Sequence, residues 1–237
     1  MPPARPSKVA LFRMLWSDLK QIESGTGLDA ASADMSNRKM FRTEQYVGID
    51  RERDLLEEGI ARYPDTIGIV ADLASVRLPR DSASVCVSTN TMSHLDEKMR
   101  TRTTKALAES VAPDGVLIIH YPIERDLDAH LIALRDQFEV VNVHYFRNLI
   151  SLAYERFFER DGWLGTQPKS RALRGIRLLL SHAERLTSRV RVINDQAYVW
   201  CSKKRGGAQT QPFDLSGFKK LRGNLYQAPA DWPQQSE

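Results

Sequence analysis

Residues 46–50, YVGID, form a short apolar run that ends on a carboxylate, and the same pattern returns at residues 67–72, IGIVAD. Two further runs, at residues 84–88 (SVCVS) and 115–121 (GVLIIHY), are also mostly apolar and rich in β-branched side chains. Helical patterns separate most of these runs. Apolar strands that alternate with helices are typical of a parallel sheet buried on both faces. The sequence therefore predicts an α/β fold.

The regular alternation of strands and helices ends late in the chain. Strands are predicted at residues 138–146 and 196–202, and residues 152–193 between them carry a helical pattern longer than a single crossover helix. Such a connection favours a mixed sheet edge with one antiparallel strand. We predict a mostly parallel sheet with an antiparallel edge strand, helices on both faces and a helical insertion before the last strand.

The composition divides the chain into three regions. Residues 1–26 form an N-terminal helical segment, because leucines at helical spacing occur over residues 9–23. Residues 27–202 form the α/β domain, a size that fits one hydrophobic core. Residues 203–237 are rich in Gly, Pro and Gln, and we expect this tail to be loosely ordered.

The bulk composition is that of an ordinary globular protein. No apolar run approaches the roughly 18 residues of a membrane-spanning helix, and the first residues lack a secretory pattern. Cys86 and Cys201 each lie in an apolar strand pattern, which predicts two buried thiols in a reducing compartment. No His, Cys and Asp cluster has metal-ligand spacing, so we predict no metal site. We expect a cytoplasmic protein.

The basic residues concentrate in the helical insertion. Nine Lys and Arg against four Asp and Glu lie between residues 152 and 193, whereas the whole chain carries a net charge of +4. Two interpretations stay open for this segment. It is either a helical lid or homodimer element with a solvated basic face, or a cap over an acceptor pocket that faces an anionic or membrane-associated partner. Nucleic acid is not favoured, because the basic and aromatic pattern of a binding module is missing.

The predicted strands end on residues suited to a nucleoside ligand. In an open α/β sheet, ligands bind outside the carboxyl ends of the strands. A carboxylate at Asp50 could accept from both ribose hydroxyls, and one at Asp72 could accept from an exocyclic amine such as that of adenine. The alternative is that each carboxylate only ends a strand or caps a helix.

Several stretches in order resemble one known family. They are residues 28–34 (LDAASAD), 46–50 (YVGID), 71–73 (ADL), 78–90 (LPRDSASVCVSTN) and 113–119 (PDGVLII). Together they are similar to the ordered motifs of the class I S-adenosyl-L-methionine (AdoMet)-dependent methyltransferases. The resemblance covers about residues 28–150, and residues 197–202 resemble the last strand of that family.

The resemblance implies a Rossmann-like, seven-stranded sheet with an antiparallel last strand. It also implies AdoMet as the cofactor, bound over the ends of the first strands, and a methyl acceptor on the far side. By this resemblance, Asp29 is the acid of the first strand, and Ala31 and Ala33 take the two loop positions that hold glycine in the family. Asp50 is the acid that binds the ribose, and Asp72 and Leu73 frame the adenine. The stretch from Ser88 to Asn90 borders the methionine part of AdoMet and the acceptor.

The loop after the first strand departs from the family pattern. Glycines there let the backbone approach the cofactor and adopt positive φ values, and alanine adds a methyl group at both Ala31 and Ala33. A second alignment is open, in which Glu23, Gly25 and Gly27 form the acid and glycine pattern. The amphipathic helix predicted over residues 9–23 leaves little room for a strand before Glu23, so we favour the alignment on Asp29.

Two histidines near strand ends are candidate catalytic bases. His120 follows the clearest strand, and His94 follows the fourth predicted strand, where a packed structural histidine is the alternative. We expect a methyltransferase that acts on a small-molecule or glycan-type acceptor, at oxygen. The alternative is a non-catalytic methyltransferase-like partner or scaffold protein. A nicotinamide-dependent oxidoreductase is disfavoured, because the glycine-rich turn that a pyrophosphate needs is missing.

Overall fold

The computed structural model describes residues 5–158, 171–206 and 209–229. Arg160 and Lys169 of the basic insertion and residues 230–237 of the tail lie outside these ranges. The helices are α1 (Pro6–Leu19), α2 (Arg53–Arg62), α3 (Glu97–Ser110), α4 (Leu127–Gln137), α5 (Leu149–Phe158) and α6 (Arg171–Thr187). The strands are β1 (Thr26–Ala30), β2 (Gln45–Asp50), β3 (Thr66–Val70), β4 (Ala83–Ser88), β5 (Val111–Pro122), β6 (Phe138–Asn148), β7 (Asn194–Lys204), β8 (Lys219–Arg222) and β9 (Leu225–Gln227).

One sheet contains all of these strands, in the order β6-β7-β5-β4-β1-β2-β3-β9-β8. Strands β1 to β5 pair in parallel, and β7 runs antiparallel to both β5 and β6. The predicted mixed, mostly parallel sheet is confirmed. From β1 the chain moves to β2 and β3 on one side, and then to β4 and β5 on the other. This reversal of strand order places a crevice above the carboxyl end of β1.

The predicted strand count of seven is wrong, because the C-terminal region adds two strands. Within the tail that was expected to be loosely ordered, β9 pairs in parallel with β3, and β8 pairs antiparallel with β9. The amide of Gly68 donates to the Asn224 carbonyl over 2.9 Å, and Leu225 is buried. These strands satisfy the backbone groups along the β3 edge, which would otherwise lack partners.

Helices cover both faces of the sheet. Leu11, Leu15 and Leu19 of α1 pack with Leu56 of α2 in a cluster on one face. On the other face, residues of α3 and α4, including Leu107 and Leu131, pack in a second cluster with strand residues. Helix α6 lies against α1. The thiols of Cys86 and Cys201 are free and buried as expected, and burial raises the pKa of each to about 12.

The connection from β1 to β2 is short, and Met35 fills the space beneath it. A five-residue 3-10 helix, Ser36–Met40, stands between the two strands. The Met35 side chain is fully buried. A Cβ atom on Gly59 would lie 2.7 Å from Met35 Cγ, and Cβ atoms on Gly48 and Gly68 would lie 3.0 and 3.2 Å from Met35 Cε. Three glycines from α2, β2 and β3 therefore leave the space that this side chain occupies.

We expect Gly59→Ala to destabilise the protein by about 1–3 kcal/mol, because the added methyl group overlaps Met35. Gly175→Ala is the matched control, since Gly175 also lies within a helix but a methyl group added there would have no atom within 4 Å. This control should stabilise the protein by about 0.5–1 kcal/mol through helix propensity. Chemical denaturation measures both changes, and the same sign for both substitutions would contradict the packing described for Met35.

Candidate functional site

The loop after β1 adopts the conformation that glycines usually supply. Ala31, Ala33 and Met35 have φ values of 62°, 46° and 55°. The loop is fixed by hydrogen bonds from the Ser32 amide to the Ile49 carbonyl over 2.9 Å and from the Met35 amide to the Ser32 carbonyl over 2.8 Å. Left-handed conformations are costly for residues with a Cβ atom. The loop backbone thus keeps the positive φ values typical of glycine, although alanine and methionine occupy these positions.

The structure decides between the two alignments of the first strand. Asp29 lies within β1, and the left-handed loop follows it directly. Gly25 precedes β1 and Gly27 lies inside it, where a Cβ atom would come within 2.5 Å of the Phe41 ring. The alignment on Glu23, Gly25 and Gly27 is therefore wrong, because these glycines lie at the opposite end of the strand from the crevice.

Asp50 connects the end of β2 to the loop. Its Oδ2 accepts from the Ala33 amide over 2.8 Å, and its Oδ1 accepts from the Glu52 amide over 3.0 Å. The carboxylate is partly exposed. Since each carboxylate oxygen has two lone pairs, both oxygens keep an acceptor position beyond these bonds. The geometry suits a pair of vicinal hydroxyl groups above the loop.

The other predicted cofactor residues differ in how open they are. Asp72 is exposed just beyond β3, next to the end of β2, and its Oδ1 accepts from the Ala74 amide over 3.0 Å. Leu73 packs in the apolar core, and Ser88 is fully buried at the end of β4. The Ser88 Oγ atom has no hydrogen-bond partner among the described residues. Asp50 and Asp72 therefore present carboxylates at the edge, whereas Leu73 and Ser88 lie beneath it.

Asp29 does not face the crevice. Its side chain is buried, accepts from the Tyr46 hydroxyl over 2.6 Å, and lies 3.5 Å from the amide nitrogen of Asn37. Burial raises the pKa of Asp29 to about 7, although the hydrogen bonds from Tyr46 and Asn37 oppose the shift. The carboxyl group of Asp29 therefore lies beneath the loop, next to the side chains of Tyr46 and Asn37.

The two candidate bases lie in different surroundings. His94 is exposed at the end of a 3-10 helix, Met92–His94. His120 is buried in β5, where its Nδ1 accepts from the Asn90 amide over 3.1 Å. Burial lowers the pKa of His120 to about 4, against an opposing contribution from the Gln196 side chain. A neutral ring that accepts at Nδ1 carries its proton on Nε2.

A polar cavity of about 100 Å³ opens at the same edge of the sheet, beyond β4. Ser7 and Arg147 at this cavity both bond Glu155, and Arg147 also donates to Asp195 over 2.8 Å. The cavity was missed in the sequence because its residues come from α1 and the residue before it, the loop after β4, and strands β6 and β7, and no motif joins them. The lining residues are Arg5, Ser7, Lys8, Leu11, Asn90, Phe146, Arg147 and Gln196.

The described residues include neither a metal-binding cluster nor a membrane-spanning helix. No group of three or more His, Cys, Asp or Glu side chains among them could hold a metal ion. None of the described helices is both long and apolar enough to cross a bilayer.

Comparison with solved structures identifies the fold. An AdoMet-dependent methyltransferase from Mesorhizobium loti aligns with a TM-score of 0.56 and 13% identity, over 83% of this chain and 98% of that one. A TehB-like methyltransferase from Corynebacterium glutamicum aligns with a TM-score of 0.51 and 16% identity, over 85% and 89% of the two chains. The [4+2]-cyclase SpnF aligns with a TM-score of 0.50 and 12% identity, over 81% and 80%.

Comparisons of the sequence itself give no match, either with protein-family models or with curated proteins. The solved structures nevertheless share the fold at low sequence identity. The chain has the Rossmann-like fold of the class I AdoMet-dependent methyltransferases, extended by β8 and β9.

Replacing Ala31 and Ala33 together by glycine should stabilise the protein by about 1–3 kcal/mol, because glycine adopts positive φ without the Cβ penalty. Ala30→Gly is the control, since Ala30 is buried within β1 and does not have a positive φ. This control should be destabilising, because glycine weakens a strand and leaves a small void. Thermal unfolding distinguishes the two outcomes, and destabilisation by the loop glycines would contradict the described loop path.

Asp29→Asn should remove a pH dependence of stability. Because folding raises the pKa of Asp29 from 3.8 to about 7, its contribution to stability is complete below pH 4 and is lost as the pH rises towards 7. The variant should therefore be more stable than the wild type by about 1–3 kcal/mol at pH 8.5. Near pH 4 this advantage should vanish. Urea denaturation at the two pH values measures the difference, and an advantage of equal size at both would argue against a buried, protonated Asp29.

Proposed function

We propose that the protein is an AdoMet-dependent methyltransferase that acts on a small-molecule or glycan-type acceptor, at oxygen. The observation that carries this proposal is the hydrogen bond from the Ala33 amide to Asp50. It holds the loop after β1 against the end of β2, at the crevice where ligands bind in this class of fold. Bound AdoMet would supply an activated methyl group on its sulfonium.

The crevice fits the nucleoside part of the cofactor. Asp50 offers acceptors to the ribose hydroxyls, and Asp72 offers an exposed acceptor next to it for the adenine amine. Met35 does not obstruct the crevice, because its side chain is fully buried among Gly48, Gly59 and Gly68 beneath the loop. Ala31 and Ala33 add only a methyl group each, and AdoMet has no pyrophosphate that must approach the backbone closely.

The polar cavity supports an anionic acceptor. Arg5 and Lys8 line it from the start of α1, whereas the charge of Arg147 is already balanced by Glu155 and Asp195. An acceptor oxygen that carries negative charge would be attracted by Arg5 and Lys8 and would need no strong base. His120 then acts as a positioning residue: it holds the Asn90 amide at the cavity wall.

A second candidate is a methyltransferase-like protein without methyl transfer. The loop after β1 favours it, because alanines stand at the two positions, Ala31 and Ala33, where the resemblance places glycines. The fold does not fix the reaction, since one similar structure is that of a protein described as a [4+2]-cyclase.

Calorimetry with S-adenosylhomocysteine separates the two candidates. We expect binding to the wild type and at least about tenfold weaker binding to Asp50→Asn, which keeps an acceptor for the Ala33 amide but loses the charge. Asp54→Asn is the control, because Asp54 is exposed in the first turn of α2 and has no described contact with the loop. A folded wild type that releases no heat and gains no thermal stability with this nucleoside would exclude the methyltransferase.

A further inference from the structure

Helix α6 turns polar side chains towards the protein. Arg177, Ser181 and Glu184 are buried, at spacings of four and three residues that place them on one side of the helix. Ser181 accepts from Arg13 of α1 over 3.0 Å, and Glu184 accepts from the Asn148 amide over 3.2 Å. The apolar side chains of Ile176, Leu178, Leu179 and Leu186 are exposed instead, which is the reverse of an ordinary surface helix.

A group of the exposed apolar side chains lies at the start of α5 and the end of α6, whereas Phe157, Ile176, Leu178 and Leu179 are exposed elsewhere on the two helices. Leu186 is 87% exposed and Val192 is 93% exposed, and Leu149 and Ile150 at the start of α5 are 63% and 61% exposed. We call the set Leu149, Ile150, Leu186, Val190 and Val192 the apolar end.

Hydrogen bonds hold the apolar end together. The Asn148 side chain donates to Thr187 Oγ1 over 3.2 Å, and the Asn194 side chain donates to the Val190 carbonyl over 2.6 Å. These bonds join the start of α5, the end of α6 and the start of β7.

The apolar end lies at the same edge of the sheet as the candidate site. Strand β6 finishes at Asn148 and β7 begins at Asn194, directly beside it. Arg147 and Gln196, which are adjacent to or near these positions in the chain, line the polar cavity. The exposed apolar surface and the cavity therefore open in the same general direction.

Arginines dominate the charges at the apolar end, because the exposed Asp128 there already forms an ion pair with Arg191. Arg185 and Arg189 are exposed and form no ion pair with any described residue, and Arg156 of α5 is also exposed. The two acids of α5 and α6 within the described ranges, Glu155 and Glu184, are both buried. Apolar side chains surrounded by arginines form a surface that is complementary to negative charge.

A second copy of the chain is a poor occupant for this surface. In a symmetric dimer the same patch meets itself, so Arg185 and Arg189 would face their own copies without an exposed acid on the described parts of these helices to pair with. A bilayer that contains anionic lipids satisfies both features, because it accepts the apolar side chains and attracts the arginines.

We propose that the apolar end docks on the surface of an anionic lipid bilayer. Leu149, Ile150, Leu186, Val190 and Val192 enter the interface between headgroups and acyl chains, and Arg185 and Arg189 contact the lipid phosphates. Docking in this way turns the polar cavity towards the bilayer. The proposal does not depend on methyl transfer, since the docking residues are separate from Asp50 and Asp72.

Vesicle sedimentation with the full chain tests the proposal. We expect the protein to sediment with vesicles of phosphatidylcholine and phosphatidylglycerol in equal parts, but not with phosphatidylcholine alone, and we expect added salt to weaken the binding. Leu186→Ser with Val192→Ser should weaken binding at least about tenfold, as should Arg185→Gln with Arg189→Gln. Leu186 and Val192 are so exposed that the fold should tolerate their replacement by serine, which circular dichroism can verify.

Matched pairs elsewhere on the surface give the controls. Met99→Ser with Ile132→Ser removes two exposed apolar side chains from α3 and α4, and Arg102→Gln with Lys105→Gln removes two exposed charges from α3. Neither pair should change binding. The proposal is overturned if no vesicle binding occurs, if the control pairs lower it equally, or if binding to both vesicle types is equal. It is also overturned if ultracentrifugation shows a dimer that Leu186→Ser with Val192→Ser dissociates.

Discussion

The packing of Met35 into the space left by three glycines is the constraint on which the ligand edge of this protein depends. Gly48, Gly59 and Gly68 come from β2, α2 and β3, so one side chain ties the loop after β1 to three elements. Burial of the Met35 side chain stabilises the folded protein and offsets the cost of the left-handed conformations at Ala31 and Ala33. The glycines thus lie around Met35 beneath the loop, whereas the loop itself keeps positive φ values at Ala31 and Ala33 without glycine.

The sheet could be predicted from the sequence because its strands carry their own signal. The run at residues 46–50 is apolar and ends on Asp50, and burial on both faces explains why the strand has no polar alternation. Strand β8 gave no such signal, because Lys219 and Lys220 are exposed on a strand that has a partner on only one side. A short edge strand of charged residues resembles a loop in composition.

The site was only partly predictable, because the type of a residue does not reveal which way its side chain points. Asp29 and Asp50 both belong to strands that end at the crevice, yet Asp29 bonds Tyr46 below the loop while Asp50 bonds the loop itself. The sequence also did not reveal that His120 is buried and accepts from the Asn90 amide. The cavity between α1, β6 and β7 depends on Arg5 and Gln196, which are distant in the sequence and share no motif.

Strands β8 and β9 also change what the sheet presents at that side. Without them the backbone of β3 would end in a row of free amide and carbonyl groups, which is a template for pairing with another chain. Strand β9 occupies this row, and β8 beyond it carries Lys219, Lys220 and Arg222. Two approaching copies would bring these cations together before any backbone ladder could form. Strands β8 and β9 thus protect this edge of the sheet from pairing with the sheet of another molecule.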